Sequence, residues 1–268
     1  MRAMWLVVGL MGCKAPPEAP TELSELSRYL YREWGNEDPE VMAAGLRNLM
    51  PVFDGVDMTG DVLDRSWALE DLDADDVAPL ETRPDRPPED CVGVGIAYES
   101  RWSTDDHARV QVQADQRPFE PTASDHYDRF FPETDDPACF ADRECEVLAT
   151  FNEATRENIL MKVTFELPKT MRWVEVEPDE WSFVSRSWYE QPWEGEGGNV
   201  TLYQSYSLDV WLFRADGTTW RYQTLWSETD LGFGVGEDTV IATVRNGTDQ
   251  FFRGCDEAIG VEFYGEDQ

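Results

Sequence analysis

Basic side chains are scarce in this sequence: 22 lysines and arginines stand against 55 aspartates and glutamates, a formal charge of -33. Such an excess repels nucleic acid phosphates and anionic lipid head groups alike, which excludes nucleic acid as a partner. Histidine is scarcer still, with two residues in the chain: His107 in TDDH and His126 in SDHYD. With so few imidazoles and no paired CxxC spacing, no zinc ligand set is present. No apolar run reaches the ~20 residues that cross a bilayer as a helix. GxSxG, HExxH and Walker-type motifs are missing too. The stretch Gly232-Phe233-Gly234-Val235-Gly236 lacks the preceding parallel strand of a dinucleotide loop, and Glu237 and Asp238 already occupy the positive end of the helix that follows. Asp71, Asp73 and Asp75 begin like a calcium loop, but Asp76 and Thr82 stand where glycine and glutamate are required. No cofactor, metal or catalytic set is therefore assigned, and the chain reads as a non-enzyme. A hydrolase using His107 and His126 with neighbouring carboxylates is the enzymatic alternative, and it requires the two histidines to converge in one cleft.

What is present begins at the amino terminus. Met4 to Met11 is an apolar run preceded by Arg2, too short to span and lacking a polar face, and it reads as the h-region of an export signal. It stops at Gly12-Cys13 and gives way to a polar tether with three prolines between Ala15 and Pro20. Leu10-Met11-Gly12-Cys13 resembles the lipobox of bacterial lipoproteins. That resemblance implies cleavage before Cys13, acylation of its thiol and new amino terminus, and a lipid-anchored chain held at the membrane without spanning it. With Lys14 rather than Asp after the cysteine, it also implies the outer membrane of the cell envelope. Beyond Cys13 the sequence holds Cys91, Cys139, Cys145 and Cys255, an even number in an exported chain, for which three pairings exist. The short spacing favours Cys139 with Cys145, which leaves Cys91 for Cys255.

Periodicity then divides the chain. After a signal (1–12) and a tether (13–21), residues 22–53 predict a helical hairpin: Leu23, Leu26, Leu30 and Trp34 form one stripe ending near Gly35, and Asp38 and Pro39 start a second helix with Val41, Met42, Leu46, Leu49 and Met50. Residues 54–90 are acidic and proline-rich and predict a loop-rich connection, pinned by Trp67, Leu69 and Leu72. In 91–268 the period changes to two. Val92 to Tyr98 predicts a strand, Val110 and Val112 a second, and Ser124 to Phe131 a short helix. Val147 to Phe151, Ile159 to Leu167, Met171 to Val176, Trp181 to Tyr189, Val200 to Leu212 and Thr219 to Trp226 predict further strands. Connections this short make the sheet antiparallel. Val240, Ile241, Val244, Thr248, Phe251, Phe252, Cys255 and Ile259 then mark a long amphipathic helix reaching Gly260.

The expected class is α+β: a helical hairpin, then an antiparallel sheet of about six to eight strands on a long C-terminal helix. The order from Val92 to Ile259 is similar to the helix-grip fold of START-like and polyketide-cyclase-like proteins, which implies a curved sheet around the last helix and a space between them for an apolar ligand. Trp173, Trp181, Trp188, Trp211, Trp220 and Trp226 are the candidates to line such a space, since indoles suit both lipids and sugar rings. The expected partners are thus a membrane, through the anchor, and a lipid, glycan or protein ligand. A structural or protein- and glycan-binding module of the outer membrane is the alternative to ligand carriage.

Overall fold

A computed structural model of the chain describes residues 18–120, 126–157, 162–198, 200–230 and 236–266. The lipobox through Cys13, together with Ile159, Met161 and Gly232 to Val235, lies outside the described residues. The hairpin forms as expected. Helix α1, Leu23–Arg32, starts where the Glu22 carboxylate accepts from the Ser24 and Glu25 amides, and α2, Pro39–Phe53, starts at an Asp38 cap with Pro39 in its first turn. Pro51 does not end α2. The helix runs to Phe53 because that ring is fully buried against Tyr222, 5.3 Å away, and Trp67, 5.8 Å away.

The acidic connection contains more structure than its composition suggests. It supplies an edge strand, β1 (Ser66–Leu69), and a single-turn helix, α3 (Ala74–Val77). The supposed calcium-loop carboxylates have other roles: Asp73 caps α3, and fully buried Asp76 is held by Arg28 and Arg32. Beyond them come β2 (Val92–Ser100), α4 (Thr104–Gln111), β3 (Tyr127–Phe130) and α5 (Ala138–Ala141). The chain then runs through β4 (Val147–Glu157), β5 (Lys162–Glu177), β6 (Glu180–Trp188), β7 (Trp193–Glu194), β8 (Thr201–Phe213), β9 (Thr219–Asp230) and α6 (Glu237–Tyr264). The fold class is α+β, with nine strands in one antiparallel sheet ordered β1-β2-β9-β8-β6-β5-β4-β3 and β7 beside β8.

Three local expectations are corrected. Val110 lies on helix α4, not a strand, because Ser103 and Asp106 form a reciprocal capping box that starts a helix. The helix expected over Ser124 to Phe131 is replaced, within its described part, by strand β3, whose Tyr127 and Arg129 point inward while Asp128 and Phe130 point out. Helix α6 passes through Gly260 to end at Gly265, whose φ of 67° suits a glycine cap. Packing of the added turn explains this: Phe263 meets Phe119, and Tyr264 stacks on Trp102 at 4.6 Å.

The sheet is covered on both faces. On one, α1 and α2 pack against Val184, Leu208, Val210, Tyr222 and Trp226 in a continuous core. Tyr31 meets Tyr206 and Trp226 edge-on, Ser27 and Tyr222 share a 2.8 Å hydrogen bond, and the Trp34 indole donates to the Val184 carbonyl. On the other, Val94, Ile96 and Tyr98 of β2 meet α6 through Phe252. The alternation in VGVGIA follows from this arrangement. A Cβ at Gly95 would lie 2.5 Å from the Tyr222 hydroxyl, and one at Gly93 2.6 Å from the Trp226 indole, so the glycines make room for rings of β9.

The cysteines divide in the same way. Cys139 and Cys145 are bonded, tying α5, which contains Cys139, to the segment that follows it, with Phe140 stacked on Trp173. Cys91 and Cys255 are not bonded to each other: Cys91 belongs to the hairpin-side core and Cys255 to the α6 side, with the sheet between them. Both are free and buried thiols.

Gly95→Val is expected to lower stability by about 1–3 kcal/mol through overpacking against Tyr222. Equilibrium urea unfolding measures this, and an unchanged midpoint would mean that the ring has room to move.

Candidate functional site

The two faces of the sheet differ in side-chain size, and a site arises from that difference. The hairpin side is filled by large residues. Toward α6, β6 presents Ser185 and Ser187, and β8 presents Ser205, Ser207 and Asp209. These short side chains do not reach the helix, and a cavity of about 850 Å³ separates the sheet from α6. The volume falls in the ~300–1,000 Å³ range of small-molecule sites. Protein interiors otherwise hold few voids larger than a water molecule, so this space accommodates solvent or a ligand.

The cavity walls are apolar in two places. Val163, Phe165 and Leu167 of β5 form one with Leu202, and Val110, Phe119 and Phe251 form another beside α6. A register shift between Leu202 and Gln204 sets this pattern. Before the shift Leu202 faces the cavity; after it Tyr206, Leu208 and Val210 face the hairpin and their odd-numbered neighbours face the cavity.

Besides the polar residues that α6 and β9 contribute, such as Asn246, Gln250 and Gln223, the cavity holds two buried hydrogen-bonded groups. Arg129, 4% exposed, ties strands to helix: Nε donates to Asn152 Oδ1 at 2.7 Å and Nη1 to the Gln111 carbonyl at 2.8 Å, where α4 ends. Nearer the middle of the sheet, Lys169 Nζ donates to Asp209 Oδ2 at 2.9 Å and Ser185 Oγ to the same oxygen at 3.1 Å. Cys255 also lines the cavity, and burial pushes its thiol up to about 11, which keeps it protonated and unreactive at neutral pH.

The tryptophan candidates separate. Trp211 lines the cavity, stacked on Phe183 at 4.3 Å. Trp188, Trp220 and Trp226 lie on the hairpin side, and Trp173 and Trp181 belong to a cluster around Phe140 and border a smaller cleft near the disulfide. Alternation along the strands directs them there: even positions of β6 and β9 face the hairpin. The residues missed were the serines, Lys169 and Asp209. Their signal was present in SYSLD, where the face opposite Tyr206 and Leu208 carries short and charged residues inside a strand otherwise apolar enough to be buried twice.

The histidines do not share a cleft. His126, about one-third exposed, contacts Glu153 at 2.8 Å. His107 is fully buried, with Nε2 2.8 Å from Ser100 Oγ, and Ser100 Oγ is in turn 2.7 Å from Asp256 Oδ1. The serine has one proton, so when it donates to the carboxylate it accepts from His107 Nε2–H. The serine, not the histidine, sits in the middle, and this is an internal brace rather than a nucleophile activated by a base. Burial, helped by the charge of Arg221, holds the His107 pKa well below its usual value, while burial raises that of Asp256.

No family model matches the sequence, and no curated protein matches it. Solved structures do. A conserved protein from Geobacillus kaustophilus matches at 11% identity and a TM-score of 0.39, covering 63% of this chain and 94% of that one. A START superfamily protein from Mycobacterium smegmatis matches at 9% identity and a TM-score of 0.42, covering 62% and 96%.

A neutral buried His107 gives stability a defined pH dependence. Below its ordinary pKa of about 6.5 the unfolded chain takes up a proton that the folded chain refuses, so stability falls as pH drops through that value, by up to about 1.4 kcal/mol per pH unit from this group. Urea unfolding from pH 7.5 to 5 is expected to show that slope in the native chain and a flatter one in His107→Gln. Parallel curves would remove His107 as the cause.

Proposed function

We propose that the chain is a non-enzymatic, lipid-anchored protein of the bacterial outer membrane that carries an apolar or amphipathic ligand between its sheet and its C-terminal helix. The cavity above the serine floor carries this reading: it is large enough for a lipid-sized molecule, apolar at two walls and polar at a few fixed points. No histidine is among its lining residues and its cysteine thiol is held protonated, which favours binding over acid-base or thiolate chemistry. Support for the anchor comes from the sequence Leu10-Met11-Gly12-Cys13. Among the described residues no helix is long and apolar enough to cross a membrane, so attachment through acyl chains on Cys13 is the route this reading assigns.

Two measurements test it. Solvent extraction of the purified full chain followed by mass spectrometry is expected to release a co-purifying apolar molecule, and the emptied protein to take up a neutral naphthylamine dye that the extract displaces. Failure of both would end the carrier reading. In cells, Cys13→Ser is expected to move the protein from the membrane fraction to the soluble one, and retention in the membrane fraction would refute the anchor alone.

A further inference from the structure

Arg129 is a buried cation on the cavity wall, and nothing around it carries the opposite charge. On β3 it stands opposite Asn152 of β4, which stands opposite Leu167 of β5, so the three form one row across the sheet, and all three line the cavity. Its hydrogen bonds go to uncharged oxygens: Asn152 Oδ1 at 2.7 Å, the Gln111 carbonyl and Oε1 at 2.8 and 3.3 Å, and the Tyr127 hydroxyl at 3.4 Å. The residues that hold the guanidinium, Asn152, Gln111 and Tyr127, line the cavity as well, which places the charge at its wall. Nη2 has two protons and one long contact, so a donor is left over. Two carboxylates line the cavity, Asp209 and Glu120, and neither is among the partners of Arg129. The carbonyl end of α4 brings at most about half a negative charge.

Buried charges are as a rule paired, because removing an ion from water is costly and a neutral oxygen orients a guanidinium without cancelling its charge. The other buried arginines obey the rule or are held by rings. Arg65 pairs with Asp249 and Arg172 with Glu146, whereas Arg186 and Arg221 lie over aromatic faces and are not among the cavity-lining residues. Arg129 differs in bordering a space large enough to admit the missing charge. It also stands between the two apolar walls: Leu167 shares its row, and Gln111, which it bonds, follows Val110. An occupant that satisfies this surrounding has a negative head and an apolar body. An ammonium would be repelled, and an alcohol would add one more neutral oxygen and leave the charge uncancelled. Carboxylate and phosphate oxygens match the guanidinium fork. The overall charge of -33 opposes an approaching anion, but that field is screened over about 8 Å at physiological ionic strength, while Arg129 acts at contact distance from inside the fold.

Resting on the carrier reading above, we infer that the ligand is an acidic amphiphile, its carboxylate or phosphate head seated on Arg129 and its apolar body against Phe165, Leu167 and Leu202.

The test uses the full chain carrying Cys13→Ser, which removes the proposed acyl anchor, emptied of co-purifying material. Binding of decanoate, decyl phosphate, decanol and decylamine is measured by calorimetry at pH 8 and fixed ionic strength. At least one anion is expected to bind roughly tenfold more tightly than the alcohol and the amine, and the better of the two anions distinguishes carboxylate from phosphate. The readout for variants is the ratio of anion to alcohol affinity. Arg129→Gln is expected to bring that ratio to about one, and Arg129→Lys, which keeps the charge and loses the fork, to retain part of it. Arg117→Gln removes an exposed cation paired with Asp115 and is expected to retain all of it. If Arg129→Gln does not fold or binds nothing, the Arg129 Nε–H resonance of the isotope-labelled parent decides: it is expected to shift with the preferred anion and not with decanol. Equal binding of alcohol and anions, preference for the amine, a ratio that survives in Arg129→Gln, or an unmoved Nε–H overturns the acidic head and leaves the carrier reading standing. If none of the four compounds binds the parent, the carrier reading itself falls and takes the assignment with it.

Discussion

Strands β5, β6, β8 and β9 are covered on both faces, so alternate residues along each must satisfy two different environments at once. Toward the hairpin the demand is for volume, met by Val184, Tyr206, Leu208, Tyr222 and Trp226 packed against α1 and α2. Toward α6 the same strands present Ser185, Ser187, Ser205 and Ser207, which bury little apolar area. Stability is therefore concentrated on one side of the sheet, and the opposite side is left free to hold a cavity. A shift of register by a single residue would exchange the two sets and destroy both layers, so the register of β6, β8 and β9 is fixed by their hairpin face.

The charge distribution obeys a related logic. With 55 acidic side chains, self-repulsion at the surface works against compactness. Several of the few cations are buried, where they join elements. Fully buried Arg65 donates to the Ala97 carbonyl and pairs with Asp249, connecting the strand β2 to helix α6. Arg172 reaches the Trp34 and Asn36 carbonyls and Glu146, fastening β5 to the end of the hairpin. Arg186 lies among the rings of Trp34, Trp188 and Tyr31, at 5.1, 5.6 and 5.8 Å, and Arg221 over Phe252 at 4.3 Å. Aromatic faces attract a guanidinium without supplying a competing carboxylate, which accounts for part of the tryptophan richness of the sheet.

The elements that periodicity revealed were those with one dominant face. The stripes of α1, α2 and α6 and the alternation in β2, β5 and β8 need no tertiary knowledge to recognise. Three kinds of element were hidden. Helix α4 depends on the Ser103–Asp106 cap more than on its apolar content, and β1 is an edge strand whose polar sequence is held by pairing with β2. The course of Cys91 and Cys255 depends on which face of the sheet each approaches, a three-dimensional fact that spacing cannot encode. The site was half legible. The cavity lies between sheet and last helix, where the resemblance of the element order to the helix-grip fold implied one, but its lining was not legible, because tryptophans draw notice and serines do not. Only once the hairpin is placed on the opposite face do the odd positions of SYSLD become a cavity floor.

Layer order also constrains how an anchored molecule would meet its ligand. Asn48 Nδ2 donates to the carbonyls of Ala19 and Pro20 at 2.8 and 2.9 Å, so the chain leaves the body beside α2. The seven residues from Cys13 to Ala19 span six Cα–Cα steps, at most about 22 Å when extended, which in the proposed acylated form would hold the hairpin edge close to the bilayer. Yet Tyr31, Phe53 and the rings around Arg186 pack the hairpin against the sheet, so among the described residues that core separates the hairpin from the cavity. In the proposed carrier, a ligand leaving the membrane would have to pass around the sheet to the α6 side. In that carrier the tether would set residence and the opposite face binding, and because the two share only the sheet, substitutions at the serine floor would change what is bound without loosening the hold on the membrane.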